Sequence, residues 1–295
     1  MSRIFRVFHT RRIRCNAVQH VMQMSTSSGS AFSIETVNDN KTILATLNSN
    51  PANFLNAKAL DDLNGALDHI ADNPMLKHKP IIFTSPEESK CFSAGMDLKA
   101  VAQMTEMSET KELFGKFEET MARIATLRHR TIAKIHGHAV AAGFFLGLAC
   151  DVRCGLDDDN IMISLPEMEM GMTFPSLCYR MILSRIPHAA HEILLSKPGK
   201  HFTPKQAYDD RYFTNLAATK EELMQKCIEE ADRVHPDSMK AYLSVKDYLW
   251  RSTVEDTWNR EREQCLQEFA EHRHSAESHR LVANKLEQMK SKKGK

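Results

Sequence analysis

The sequence predicts an α/β protein, a sheet covered by helices, that gives way to an almost wholly helical C-terminal end. Three observations lead there. Between Ala31 and about Phe174, short apolar strand-like runs alternate with segments of helical periodicity, an order that lays helices over a sheet. From Pro175 onward the runs are helical and increasingly polar. With 42% hydrophobic and 26% charged residues the composition is that of an ordinary globular chain, and no apolar run approaches the ~20 residues needed to span a bilayer.

The first thirty residues, "MSRIFRVFHTRRIRCNAVQHVMQMSTSSGS", stand apart. They carry Arg3, Arg6, Arg11, Arg12 and Arg14, while the first acid is Glu35. An Arg-rich, acid-free, Ser-containing leader with apolar residues between its charges reads as a mitochondrial transit segment over 1–30, with a basic tail as the bland alternative. Translation from Met24 would remove most of it. The matrix is therefore the expected location, with peroxisome or cytoplasm as alternatives, and the final "KSKKGK" is not an S-K-L address.

Past the leader, Ala31 to Leu47 reads as two short strands turning at "NDNK". Leu60, Leu63, Leu67 and Ile70 recur at helical spacing, and "PIIFTS" is a buried strand. In "CFSAGMDLKA" a glycine precedes the start of a helix. Residues 108 to 128 form an amphipathic helix with Leu113, Phe117, Met121, Ile124 and Leu127 on one side. "TIAKIHG" reads as a strand, "AAGFFLGLAC" as an apolar helix and "DVRCG" as a strand. Helices follow in "SLCYRMILSRI", "AAHEILLS" and "KEELMQKCIEEADRV", and one long polar helix is expected from about Val254 to Lys290. The expected division is a core over 31–215 and a helical region over 216–295.

Composition narrows the chemistry. The formal charge is +1, and no basic stripe with interleaved aromatics suggests nucleic acid. The seven cysteines are scattered and odd in number without a CxxC, so they read as reduced thiols that mostly fill the core. His136 and His138 flank Gly137, yet no further histidine or cysteine completes a metal site, so both read as structural.

Two segments put backbone N–H groups at the start of a helix, where negative charge is favoured. One is "SAGMDL", where Gly95 allows a tight turn and Asp97 can cap the helix. The other is "GHAVAAGFFLGLACD", where Ala141, Ala142 and Gly143 let a ligand come close. Downstream, "SLPEMEMG" carries Glu167 and Glu169. If that stretch is extended, both glutamates share a face while Met168, Met170 and Met172 face away. Spacing alone does not choose between the two acids.

In this order, with "LNSNPANFLNAKALDDLNGAL" upstream and "ISLPEMEMGMTFP" downstream, these segments resemble the crotonase, or enoyl-CoA hydratase/isomerase, superfamily, most of all the monofunctional Δ3,Δ2-enoyl-CoA isomerases. The match runs from about Phe32 to Asn215. The resemblance implies a spiral of ββα turns with a helical C-terminal trimerisation region, assembled as a trimer or a pair of trimers. It implies an acyl-CoA substrate and no cofactor beyond the coenzyme A of that substrate. It assigns the two oxyanion donors to the backbone of Met96 and Ala142 and the base to Glu167, leaving Glu169 structural or at the rim. Hydratases of the family carry a second glutamate where this chain has Phe145, and moving a double bond needs only one proton-transferring group. For the CoA moiety the resemblance carries over Asn56, Ala57, Lys58, Ala94, Gly95, Asp97 and Leu98, with Lys99 in reach of a phosphate and Phe145 on the acyl side. The expected reaction takes a 3-enoyl-CoA to the trans-2-enoyl-CoA of β-oxidation. Dienoyl-CoA isomerisation, hydration and acyl-CoA binding without turnover are the alternatives.

Overall fold

The computed structural model describes residues 30–196 and 199–293, so the leader expected over 1–30, apart from Ser30, and Cys15 lie outside the described residues. The described residues open on an antiparallel hairpin, β1 (Phe32–Val37) and β2 (Thr42–Leu47), which turns at "NDNK" through Asn38, Asp39 and Asn40, all at positive φ. Asn and Asp tolerate that left-handed backbone better than other side chains. Next comes α1 (Ala57–Asp72), capped by the Asn56 side chain accepting from Ala59 N–H, which buries Leu60, Leu63, Leu67 and Ile70 as its spacing requires. Each such side chain contributes about 1.5–3 kcal/mol of burial.

From there the chain spirals. It runs through β3 (Ile81–Thr84), β4 (Cys91–Ser93), α2 (Leu98–Gln103) and α3 (Met107–Thr126). A second turn gives β5 (Thr131–Ile135), β6 (His138–Val140) and α4 (Ala142–Ala149), and a third gives β7 (Val152–Leu156), β8 (Ile163–Ser164) and α5 (Ser176–Arg185). After β9 (His201–Phe202), α6 (Pro204–Asp209) and β10 (Asn215–Ala217) the remainder is helical: α7 (Lys220–Asp232), α8 (Met239–Trp250), α9 (Asp256–Arg273) and α10 (Ala276–Lys293). The strands sort into two sheets, ordered β1-β2-β3-β5-β7-β10 and β4-β6-β8-β9. Each turn thus gives one strand to each sheet, parallel to its predecessors. This is the spiral of ββα turns with a helical end that the resemblance implies.

Three expectations are corrected. The division placed at 215/216 falls inside β10, which pairs in parallel with β7, so the large sheet continues past it. "AAHEILLS" is not a regular helix but a short turn region ending in one wide π turn at Glu192–Ser196. The long helix from Val254 to Lys290 breaks at His274 and Ser275: Ser275 Oγ accepts the Ser278 N–H at 3.1 Å and starts α10 afresh, as a serine cap does. Arg251–Glu255, just before α9, is again a π turn.

The thiols of Cys150, Cys154, Cys178 and Cys227 are buried and unbridged. No helix of the described residues is long and apolar enough to cross a membrane. Asp151, between α4 and β7, accepts from Lys246 Nζ at 2.9 Å and Tyr242 Oη at 2.8 Å, which ties α8 to the sheet.

Candidate active site

The small sheet sets the geometry. β4, β6 and β8 lie side by side in parallel, with Ser93 opposite Ala139 and Val140 opposite Ser164. Met96 follows β4 by three residues, Ala142 follows β6 by two and Glu167 follows β8 by three, so all three emerge at the carboxyl ends of neighbouring strands, where parallel sheets present ligand sites.

The first two are held by close backbone packing. Gly95, at φ +83°, accepts the Leu55 N–H at 2.9 Å, and Ala94 N–H donates to Ala52 O at 3.0 Å. Ser93 Oγ donates to Asn53 O at 2.6 Å and accepts from Gly95 N–H at 3.1 Å. A Cβ on Gly95 would lie 2.7 Å from Val140 O and 2.9 Å from the Ala142 nitrogen, and one on Gly143 only 2.1 Å from Ser93 O. Glycine is required at both positions because the two turns touch. Ala141, which precedes α4, has φ 54° and ψ −123°, a conformation normally left to glycine, and its N–H donates to Ser164 O at 2.9 Å. Among the described residues no acceptor takes the N–H of Met96 or of Ala142, and the latter opens the first turn of α4.

Glu167 begins a 3₁₀ turn, Glu167–Met170, closed by Gly171 in the left-handed conformation. This corrects the extended reading. In a 3₁₀ turn residues three apart share a face, so Glu167 and Met170 turn inward while Met168 and Glu169 turn out. Glu167 is only 9% exposed, and its Oε2 is buried without a hydrogen-bond partner. Burial pushes its carboxyl up to about 8, from an ordinary 4.5, because the charged form loses water and gains little in return. Glu169 instead pairs with Lys285 on α10 at 2.7 Å.

Asn56, Ala57, Lys58 and Asp97 come together around a cavity of about 450 Å³, with Ala100, Met104 and Leu113 completing its wall. Ala94, Gly95, Leu98 and Lys99 do not line it; Ala94 and Leu98 are half-buried and Lys99 is exposed. Asn56 and Asp97 also cap α1 and α2. Phe145 is fully buried, edge-on to Phe144 and Phe174, and Phe174 in turn lines a separate apolar cavity of about 470 Å³. His136 and His138 have structural partners: Pro86 O lies 3.0 Å from His136 Nε2, and His138 Nδ1 accepts Met162 N–H at 3.0 Å. Among the described residues no group of three or more His, Cys, Asp or Glu side chains could hold a metal ion.

A sequence model of the enoyl-CoA hydratase/isomerase family matches residues 38–292. The chain belongs to that family. Among curated enoyl-CoA relatives, a probable enoyl-CoA hydratase of Bacillus subtilis is 26% identical over 71% of this chain and 78% of its own length. The fatty acid oxidation complex subunit alpha of Aliivibrio fischeri is 30% identical over 52% of this chain, which spans only 22% of that longer protein. The fold matches human mitochondrial Δ3,Δ2-enoyl-CoA isomerase with a TM-score of 0.77 at 20% identity, over 89% of this chain and 99% of that one. It matches an enoyl-CoA hydratase of Bacillus halodurans with a TM-score of 0.74 at 21% identity, over 85% and 99%. Family members named for either reaction share the scaffold, so the scaffold does not choose between them.

One supporting residue was missed in the sequence. Glu118 on α3 is fully buried; its Oε1 accepts Leu177 N–H at 2.7 Å and Ser176 Oγ–H at 3.3 Å, fixing the start of α5 just past the Glu167 turn. Burial raises its carboxyl to about 7 despite those bonds. The signal was available: Glu118 shares an apolar helix face with Phe114, Met121 and Ala125.

Proposed function

We propose that this chain is a Δ3,Δ2-enoyl-CoA isomerase that moves the double bond of a 3-enoyl-CoA into conjugation with the thioester. The observation behind this reading is the buried Glu167, whose Oε2 has no partner, at the end of a strand neighbouring those that lead to two free backbone donors, with Phe145 where a hydrating relative would place a second acid; Glu118, the other buried acid with an unpartnered oxygen among the described residues, is held by Leu177 and Ser176. In the proposed reaction Glu167 takes the proton from C2. The electrons of that C–H bond pass into the thioester, and the resulting enolate oxygen accepts hydrogen bonds from the N–H groups of Met96 and Ala142. One such donor is worth about 3 kcal/mol in the transition state. The C3–C4 double bond then moves to C2–C3 as Glu167 returns the proton at C4. A carboxyl raised to about 8 suits the task, since a base strong enough to take a C–H proton can also give it back near neutral pH.

The cavity walled by Asn56, Ala57, Lys58 and Asp97 would take the CoA portion. The proposal requires no cofactor. Residence in the mitochondrial matrix and assembly as a trimer or pair of trimers belong to the same proposal and rest on the leader's composition and on the family resemblance.

The test uses trans-3-hexenoyl-CoA and, separately, trans-2-hexenoyl-CoA, followed by the absorbance of the conjugated thioester. Isomerisation that is abolished by Glu167→Gln, with the 2-enoyl substrate scarcely hydrated, is the expected result. Efficient hydration would move the assignment to hydratase, and binding without turnover to an acyl-CoA binder.

A further inference from the structure

The polar C-terminal helix lies across the candidate site. A Cβ built on Gly171, at the end of the base turn, would sit 3.2 Å from Leu281 Cδ1 and 3.4 Å from Ser278 Cα, so α10 rests on that turn. Four residues beyond Leu281, one helical turn further, Lys285 Nζ meets Glu169 Oε2 at 2.7 Å. The elbow before α10 holds both walls of the site. His272 Nδ1 lies 3.2 Å from Thr173 Oγ1 on the base side, while Arg273 Nη2 donates to Val101 O of α2 at 2.7 Å and His274 Nε2 lies 3.0 Å from Thr110 Oγ1 of α3. Beside this strap Glu167 Oε2 and Ser278 Oγ are both shut from solvent without partners.

Glu167 is buried and lines neither cavity described above, so the proposed reaction requires a covering element to yield. α4 is buried along its whole length and α5 is pinned at its start by Glu118, so neither can swing out without opening the core. α10 differs: its outer face is polar and exposed, Val282 and Ser278 are its fully buried side chains, and its ionic contact to the loop is partly solvent-exposed, 29% for Lys285 and 39% for Glu169.

We propose that α10 is a lid over the base and that the Glu169–Lys285 ion pair is its latch, which makes Glu169 a positioning residue, closed during proton transfer and released for entry and exit. The proposal rests on the reading of Glu167 as the base. It accounts for both glutamates of the "EME" turn, one facing in for chemistry and one facing out to hold the helix. A partly exposed pair of this kind shifts an open–closed equilibrium by about two- to fivefold.

Glu169→Gln, Lys285→Ala and the reversed pair Glu169→Lys/Lys285→Glu provide the test, with two readouts. Amide hydrogen exchange over 167–173 and 276–291 requires no activity; the single variants should exchange about two- to fivefold faster there, and the reversed pair should return toward the parent. During isomerisation in D2O at fixed pD, an opened lid lets the proton on Glu167 trade with solvent, so deuterium at C4 of the product should rise in the single variants and fall back in the reversed pair. Exchange unchanged in the singles would overturn the latch, and faster exchange with unchanged deuterium content would overturn its role over the base. Should Glu167→Gln keep full turnover, the base assignment fails first, while the amide exchange still decides whether the latch exists.

Discussion

One wall of the site is main chain and the other is a single side chain. The paired turns at Gly95 and Gly143 are set by contacts so close that a methyl group cannot enter, yet the donors they present, at Met96 and Ala142, ask nothing of those residues' side chains. The Glu167 wall is the reverse. Its backbone is an ordinary 3₁₀ turn, and everything depends on which carboxylate faces in and on what distant segments lay over it. The first wall is fixed by backbone-to-backbone contact between two turns, whereas the second depends on one side chain and on the distant segments laid over it.

Substitutions should separate the two walls. The largest effect is expected at the carboxylate: Glu167→Gln should lower kcat by about 10³-fold, while Glu169→Gln, two residues away, costs only a few-fold. Comparable losses at both would dissolve the distinction between them. Next comes Gly143→Ala, whose Cβ must push Ser93 O away and spread the two donors; about a 10²-fold loss in kcat is expected, seen on the same substrate.

The third test uses pH. If Glu167 must be ionised to act, kcat/KM climbs through about pH 8, and a rise centred near 4.5 would count against a buried base. Stability should run the other way. Glu118 is held protonated by burial up to about 7, whereas in the unfolded chain it loses its proton near 4.5, so the folded state binds the extra proton between those values. Its contribution, on the order of 3 kcal/mol at most, is fully present below about pH 4.5 and is lost as pH rises through about 7. Melting temperatures measured from pH 5 to 8 should fall less in Glu118→Gln than in the parent. The smallest effect is at Ala141, whose strained backbone Ala141→Gly would relieve by about 1 kcal/mol, raising the melting temperature by a few degrees.

The same division explains what the sequence revealed. The hairpin at "NDNK" and the α1 stripe were legible because each is decided by residues next to one another, and the two glycine turns because small residues before a helix are a local sign, although the contact that demands glycine there joins two turns of the spiral. The choice of Glu167 over Glu169 came from the family motif, since spacing left both open, and the extended reading of "SLPEMEMG" would have faced both the same way. That error is physical: a four-residue stretch has too little periodicity to separate a strand from a 3₁₀ turn, and the αL glycine that closes the turn was the overlooked sign. The break at Ser275 is likewise a local cap hidden inside a long polar run. Lys285 was beyond local reading, being 116 residues from Glu169, whereas the helix face of Glu118 signalled its burial but not its role, which comes from Leu177, 59 residues away.

An amide hydrogen belongs to every residue except proline. A substitution at position 96 or 142 therefore leaves the donor in place, and only proline erases one outright. The donors proposed to hold the negative charge thus do not depend on side-chain identity, although the burial of Ala142 limits what can stand there, and a proline substitution is the direct genetic probe of each donor.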